Sequence, residues 1–133
     1  FAYLYRKDYI AQSYSLWKAN KYNIWHKHIY EKKENVVNNV AISDEDIISI
    51  LKFSRSLAME NNRWLMFFLK HNLSPHVIAF EDFNDHQIET LSQLKEFAFG
   101  KKFNQDNSIK YRRTSNEHDS RILSEVKKRI SEL

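Results

Sequence analysis

The sequence contains no cysteine, and only one glycine and one proline among its 133 residues. The lack of cysteine excludes disulfides and zinc–thiolate sites and is consistent with a reducing compartment. Because few residues can form tight turns, we expect helices joined by polar connections to dominate. No apolar run approaches the length of a membrane span and no signal-peptide pattern opens the chain, so we expect a cytoplasmic protein.

The composition is that of a globular protein with a basic surface. Hydrophobic residues make up 42% and aromatic residues 14% of the chain, enough for one modest core. The net charge of +4 is compatible with an anionic partner, whether nucleic acid, a membrane surface or a phosphorylated small molecule. A charge excess of this size also commonly serves solubility alone, so charge does not decide the function.

Two short apolar runs predict parallel β-strands at residues 1–6 and 76–80. The first is nearly continuous in apolar and aromatic residues, as in a strand covered on both faces. The order strand, helix, long helix, strand, helix favours an α/β fold. Two strands do not make a stable parallel sheet, and the chain opens on Phe1 rather than methionine, so we expect residues 1–133 to be the carboxy-terminal half of a single domain.

Apolar residues at helical spacing predict helices over residues 8–20, 43–71 and 117–133, the last with an apolar line of Ile122, Val126 and Ile130. Ser43 is the expected cap of the second helix, which is long enough that we expect a break near residues 61–62. Asn84 with Gln87 has the pattern of a capping box, and the helix that follows should stop at Gly100 in a left-handed cap.

Arg6 is the first residue that these patterns connect with chemistry. It follows the first predicted strand, and ligands of open α/β folds bind at the carboxyl edge of the sheet. An arginine there can hold a phosphate bidentately, and a helix hydroxyl such as that of Ser15 can add a hydrogen bond. An arginine in this place is also commonly only solvated or salt-bridged.

The stretch Tyr3–Ala19, YLYRKDYIAQSYSLWKA, resembles the sulfotransferases of the bacterial trehalose and lipopolysaccharide type. That family has an arginine–acid pair after a core strand, then alanine–glutamine, a serine, and a tryptophan ahead of a basic residue and alanine. Four later segments are similar to the family in the same order: residues 24–26, 62–68, 77–83 and, weakly, 112–116. In the third of these, phenylalanine replaces the family's tyrosine at Phe80 and its leucine at Phe83.

The resemblance implies an incomplete P-loop-like three-layer sulfotransferase fold, in which helices flank the two predicted strands. It implies 3′-phosphoadenosine-5′-phosphosulfate as cosubstrate and a hydroxyl, commonly of a carbohydrate or glycolipid, as acceptor, with no metal. By analogy the donor's 3′-phosphate is bound by Arg6 and Ser15, with Arg112 or Arg113 closing over it. No glycine- and serine-bearing loop fits the 5′-phosphosulfate and no catalytic base can be assigned, so we expect this piece to be inactive alone.

The remaining polar and aromatic clusters have structural interpretations that we prefer. Glu81 and Asp82 should cap the following helix and orient nearby basic groups rather than act as an acid–base pair. His26 and His28 have no third metal ligand at a convincing spacing. Trp64, with the neighbouring phenylalanines of residues 67–68, should belong to the core. Trp25 and His26 either line the acceptor pocket or only fix their loop.

Two other functions remain open from the sequence. The basic segment 101–113 could bind nucleic acid, although it contains no recognised motif, so we expect no nucleic-acid partner. A nucleotide-dependent kinase shares the general architecture, and fold alone does not settle chemistry. The expected partners are therefore the donor nucleotide and a hydroxylated acceptor, with homodimerisation left open.

Overall fold

The computed structural model describes residues 1–23, 25, 41–100 and 117–133. Its elements, in chain order, are β1 (Ala2–Tyr5), α1 (Tyr9–Tyr22), α2 (Asp44–Lys70), β2 (His76–Ala79), α3 (Phe80–Asp85), α4 (Gln87–Phe99) and α5 (Glu117–Ser131). The described residues form two compact units, 1–7 with 60–100 and 8–59 with 117–133. None of the helices in these ranges is long and apolar enough to cross a bilayer.

The first unit is built on β1 and β2, which pair in parallel as predicted. The register places Ala2 opposite His76 and Tyr5 opposite Ala79, so the two strands end side by side. Both are shorter than expected, because the chain leaves the strand conformation at Arg6 and at Phe80. The mixture of helices with a small parallel sheet is an α/β arrangement, in agreement with the predicted fold class.

Helices contact both faces of this strand pair. On one face the Tyr3 ring packs edge-on against Phe68 of α2, with 5.3 Å between ring centroids, and its hydroxyl donates to Asn61. On the other face His76 stacks on Phe97 of α4 at 5.0 Å. The prediction that the first strand is covered on both faces is nevertheless wrong in the described structure, because Leu4 is 59% exposed.

The chain passes from β2 into α3 without a connecting loop. Ala79 is the cap residue, in extended conformation, and α3 begins at Phe80. The predicted capping box is wrong: Asn84 lies inside α3, and α4 begins after His86 with no side-chain cap. The predicted stop at Gly100 is confirmed, since this glycine has φ of 65° and its N–H donates to the carbonyl of Glu96.

Helix α2 is one continuous helix of 27 residues, so the break expected near residues 61–62 is absent. Its start follows the prediction. The backbone N–H of Asp46 donates to the Ser43 hydroxyl, and the Asp46 carboxylate accepts from the Ser43 N–H and hydroxyl in return. At its other end Asn72 adopts φ of 50°, and the N–H of Leu73 donates to the carbonyl of Phe68, which closes the helix.

The second unit is an all-helical core formed by α1, α5 and residues 44–59 of α2. Its buried members are Tyr14, Trp17, Ile47, Ile50 and Val126, of which the last two are fully buried. The apolar line predicted for the last helix is confirmed, because its two flanking isoleucines pack against this cluster around Val126.

Two buried carboxylates tie α1 to its neighbours in this unit. Asp119 of α5 accepts from the Lys18 ammonium at 2.5 Å and the Tyr14 hydroxyl at 3.2 Å. Asp46 of α2 accepts from the Lys21 ammonium at 2.7 Å and the Trp17 indole N–H at 3.2 Å. Charge-assisted hydrogen bonds of this kind fix the rotation of α1 as well as its position.

Candidate carboxyl-edge site

The candidate site lies at the carboxyl edge of the strand pair. β1 and β2 end at the opposed residues Tyr5 and Ala79. The residues that follow the two strands, 6–7 and 80–82, therefore emerge at the same edge, where parallel sheets present their ligand-binding residues. We call Arg6, Lys7, Phe80, Glu81 and Asp82 the carboxyl-edge cluster.

Arg6 rests on an aromatic ring rather than on an acid. Its guanidinium carbon lies 3.9 Å from the centre of the Phe80 ring, within the range of a cation–π contact. The side chain is partly buried. Within residues 1–23, 25, 41–100 and 117–133, Arg6 has no hydrogen bond or ion pair with a carboxylate. Its N–H groups can therefore be offered to an anionic ligand.

Lys7 is paired instead. Its backbone N–H donates to the Glu81 carboxylate at 3.0 Å, and its ammonium lies 2.6 Å from the Asp82 carboxylate. The hydrogen bond that the Lys7 ammonium donates to Asp82, with the negative charges around it, raises the pKa of Lys7 from its ordinary value. The prediction that Glu81 and Asp82 orient a nearby basic group is confirmed. The prediction that they cap the following helix is wrong: both lie inside the first turn of α3, where acids favour the helix dipole, and neither α3 nor α4 has a side-chain cap.

Ser15 lies in the second unit, on an exposed position of α1. Its hydroxyl donates to the carbonyl of Ala11 at 3.0 Å. To donate to a phosphate it would have to rotate away from this carbonyl, which exposed serines do readily. Ser13, two residues earlier, is fully buried, so of the two hydroxyls only that of Ser15 is accessible. A ligand shared by Arg6 and Ser15 stays a prediction.

Asp8 caps α1 immediately after the cluster. Its carboxylate accepts from the N–H of Ala11 at 2.9 Å and from the Lys127 ammonium at 2.6 Å. Partial burial alone would raise the pKa of this carboxyl, but the bonds from Lys127 and Ala11 outweigh burial, and the net effect is a lowered pKa. Asp8, the acid of the arginine–acid pair, is thus ionised, and its carboxylate caps the first turn of α1.

The remaining predicted site residues are less informative. Trp25 is described and is 53% exposed, whereas His26, Arg112 and Arg113 lie outside the described residues. The role of Trp25 in acceptor binding therefore stays a prediction, and so do the roles of the other three residues.

The expectation that the tryptophan-containing part of α2 is core holds only in part. Phe68 is buried, with 6% of its surface exposed, and contacts Tyr3. Trp64 and Phe67 are 52% and 40% exposed, although their rings pack edge to face with centroids 5.8 Å apart.

Sequence reasoning missed Phe80 and Lys7 as parts of the site. The signal was present in the strand register, because residues that follow opposed strand ends lie side by side. With Tyr5 opposite Ala79, continuing the register by one and two residues brings Arg6 to Phe80 and Lys7 to Glu81.

Comparison with protein families assigns the sequence to a known group. The profile of the Stf0 sulphotransferases matches residues 1–127, which include both strands and the whole carboxyl-edge cluster. Comparison with curated proteins and with solved structures finds no match. Since the matched region is nearly the entire chain, the chain belongs to the Stf0 sulphotransferase family.

Proposed function

We propose that the protein transfers a sulfuryl group from 3′-phosphoadenosine-5′-phosphosulfate to a hydroxyl of a carbohydrate or glycolipid. In this reaction the acceptor oxygen forms a bond to sulfur, and the bond between sulfur and the phosphate oxygen breaks. The acceptor's proton passes to a general base, and adenosine 3′,5′-bisphosphate leaves. Membership of a sulphotransferase family favours this chemistry over the kinase and nucleic-acid alternatives.

The observation that supports donor binding here is the state of Arg6. It is a partly buried arginine at the carboxyl edge of a parallel strand pair, held against Phe80, and the described residues supply it with no carboxylate. A guanidinium in this condition fits a phosphate, which it can bind through two parallel N–H donors. We assign the 3′-phosphate of the donor to Arg6.

The other assignments extend this one. Ser15 would add a hydroxyl donor to the same phosphate, and Arg112 or Arg113 would close over it. Trp25 and His26 would line the acceptor pocket. No residue of the chain is proposed as the catalytic base.

The test compares two nucleotides that differ only in the 3′-phosphate. Adenosine 3′,5′-bisphosphate should bind the full-length protein more tightly than adenosine 5′-monophosphate, as measured by calorimetry. Arg6→Ala should weaken bisphosphate binding by roughly 10- to 100-fold, the loss expected for a hydrogen-bonded charge pair, and monophosphate binding by no more than about fivefold, through the lost positive charge alone.

Arg63→Ala is the matched control. Arg63 belongs to the same unit but is exposed and paired with Glu60 one helical turn away. This variant should bind both nucleotides as the wild type does. If Arg6→Ala and Arg63→Ala gave the same affinities, the assignment of the 3′-phosphate to Arg6 would be wrong.

A further inference from the structure

The two adjacent cations of the carboxyl-edge cluster have different partners. Arg6 packs on Phe80 and has no acid among the described residues, whereas the Lys7 ammonium lies 2.6 Å from Asp82. Two of the first three residues after β2 thus contact one cation each: the Phe80 ring packs on the Arg6 guanidinium, and the Asp82 carboxylate pairs with the Lys7 ammonium.

We infer that Asp82 limits the affinity of the phosphate site for anions by neutralising Lys7, and that Phe80 is a positioning residue for Arg6. This inference rests on the proposed role of Arg6 in donor binding. If the inference holds, the site offers an incoming anion one guanidinium of fixed orientation rather than two mobile cations.

The charge argument follows from position. Lys7 and Asp82 are both about half exposed, so their ion pair contributes little to stability. Lys7 nevertheless follows Arg6 directly in the chain, and Asp82 pairs with it at the same sheet edge. We therefore expect both charges to act on an anion bound by Arg6 over a distance shorter than the Debye length, about 10 Å at 0.1 M salt. An unpaired Lys7 would attract every phosphorylated ligand to the site without regard to its shape, because an ammonium binds phosphate as a point charge.

The orientation argument concerns Phe80 and Glu81. A guanidinium lying over a ring has fewer orientations than a solvated one, so less conformational entropy is lost when it binds a phosphate. Glu81 fixes the backbone beside it by accepting the N–H of Lys7 at 3.0 Å. Both contacts come from the segment that follows β2, so the register of the strands sets the direction of Arg6.

A double-mutant cycle on the charge pair tests the role of Asp82. At low ionic strength, Asp82→Asn should tighten binding of adenosine 3′,5′-bisphosphate and of adenosine 5′-monophosphate, and Lys7→Ala should weaken it, each by roughly two- to fivefold. The double variant should return close to the wild-type Kd. The pair Glu60→Gln and Arg63→Ala, also an exposed ion pair, is the control that should change neither affinity.

The double variant also separates this inference from its main competitor. If Lys7 itself contacted the anion, its loss would weaken binding far more than Asp82→Asn tightens it; the double variant would then bind much more weakly than the wild type, and the role given to Asp82 would be overturned. An unchanged Kd for Asp82→Asn would overturn it as well.

Phe80 is tested through its dependence on Arg6. Phe80→Leu should weaken bisphosphate binding by roughly three- to tenfold. Phe80→Tyr keeps the ring and should bind the bisphosphate with the wild-type affinity. In the Arg6→Ala background Phe80→Leu should have no further effect. An equal loss in both backgrounds would mean that Phe80 acts only on the fold.

Failure of this inference is distinguishable from failure of the proposed function. If Arg6→Ala removes the preference for the bisphosphate but the charge cycle or the Phe80 test fails, donor binding stands and the inference falls. If Arg6→Ala leaves that preference intact, the proposed function falls first.

Discussion

Asp46 offers the most demanding test of how the second unit is held together. Asp46 is 8% exposed, and its carboxylate accepts from four groups: the Trp17 indole N–H, the Lys21 ammonium, and the N–H and hydroxyl of Ser43. Asp46→Ala removes the acceptor for all of them. The free energy of unfolding should fall because a buried donor loses its partner and the start of α2 loses half of its reciprocal cap.

The size of the effect can be worked from these contacts. An indole N–H left without an acceptor costs about 1–3 kcal/mol, and the loss of the Asp46 half of the reciprocal cap adds at most about 1 kcal/mol, because Ser43 still accepts the N–H of residue 46. Lys21 adds little, because its side chain is 39% exposed and can be resolvated. We expect Asp46→Ala to lower the free energy of unfolding by about 1–4 kcal/mol, measured by urea denaturation. Asp46→Asn, which keeps one acceptor oxygen, should lose less.

The effect should depend on pH in a defined direction. Burial alone would raise the pKa of Asp46, but the hydrogen bonds from Lys21 and Ser43 outweigh it, so the pKa is lowered in the folded protein. The stability from the ionised carboxylate is therefore fully present above its unfolded pKa of about 4 and is lost as the pH falls through the lower folded value. The difference between wild type and Asp46→Asn should shrink in that acidic range.

Glu45→Gln is the matched control, because Glu45 is an exposed acid in the same helical turn. It should change the free energy of unfolding by no more than about 0.5 kcal/mol. If Asp46→Ala cost no more than this control, the reasoning about the buried carboxylate would be refuted.

Two further predictions concern stability and use the same denaturation assay. Ile50→Val removes one methylene from a fully buried side chain and should cost about 0.5–1.5 kcal/mol, whereas Ile48→Val, at a 51% exposed position of the same helix, should cost much less; equal costs would contradict the assigned core. Gly100→Ala should cost about 1–2 kcal/mol through backbone strain, because φ is 65°; among the described residues, apart from its chain neighbours, no atom lies within 4 Å of the added methyl group. Gly100→Asn should cost less, since asparagine tolerates this conformation.

The parts of the fold that the sequence predicted correctly are those with strong local signals. Ser43 and Asp46 are spaced as a capping box and form one, and the apolar line around Val126 packs as expected. The parallel pairing of the strands was also predictable, because the elements between them include helices long enough for a crossover.

Two of the errors concern asparagines that were assigned a local role. Asn61 was taken to mark a break in α2, yet its side chain accepts from the Tyr3 hydroxyl, so this asparagine makes a tertiary contact within a continuous helix. Asn84 was taken as a cap, but α3 begins directly at Phe80 and includes it. Local propensity cannot reveal either case, because each depends on where β1 and β2 bring the chain.

The site was predictable to the level of one residue. The strand pattern placed Arg6 at the carboxyl edge, and β1 does end immediately before it. Its contact with Phe80 and the pairing of Lys7 with Asp82 follow from the strand register, which the sequence alone did not determine.

A crystal structure of the full-length protein with adenosine 3′,5′-bisphosphate would test the central claim most directly. The account predicts that the Arg6 guanidinium donates two hydrogen bonds to the 3′-phosphate while remaining over the Phe80 ring, and that Lys7 stays with Asp82. A 3′-phosphate bound by other residues, with Arg6 making no contact to the nucleotide, would contradict it.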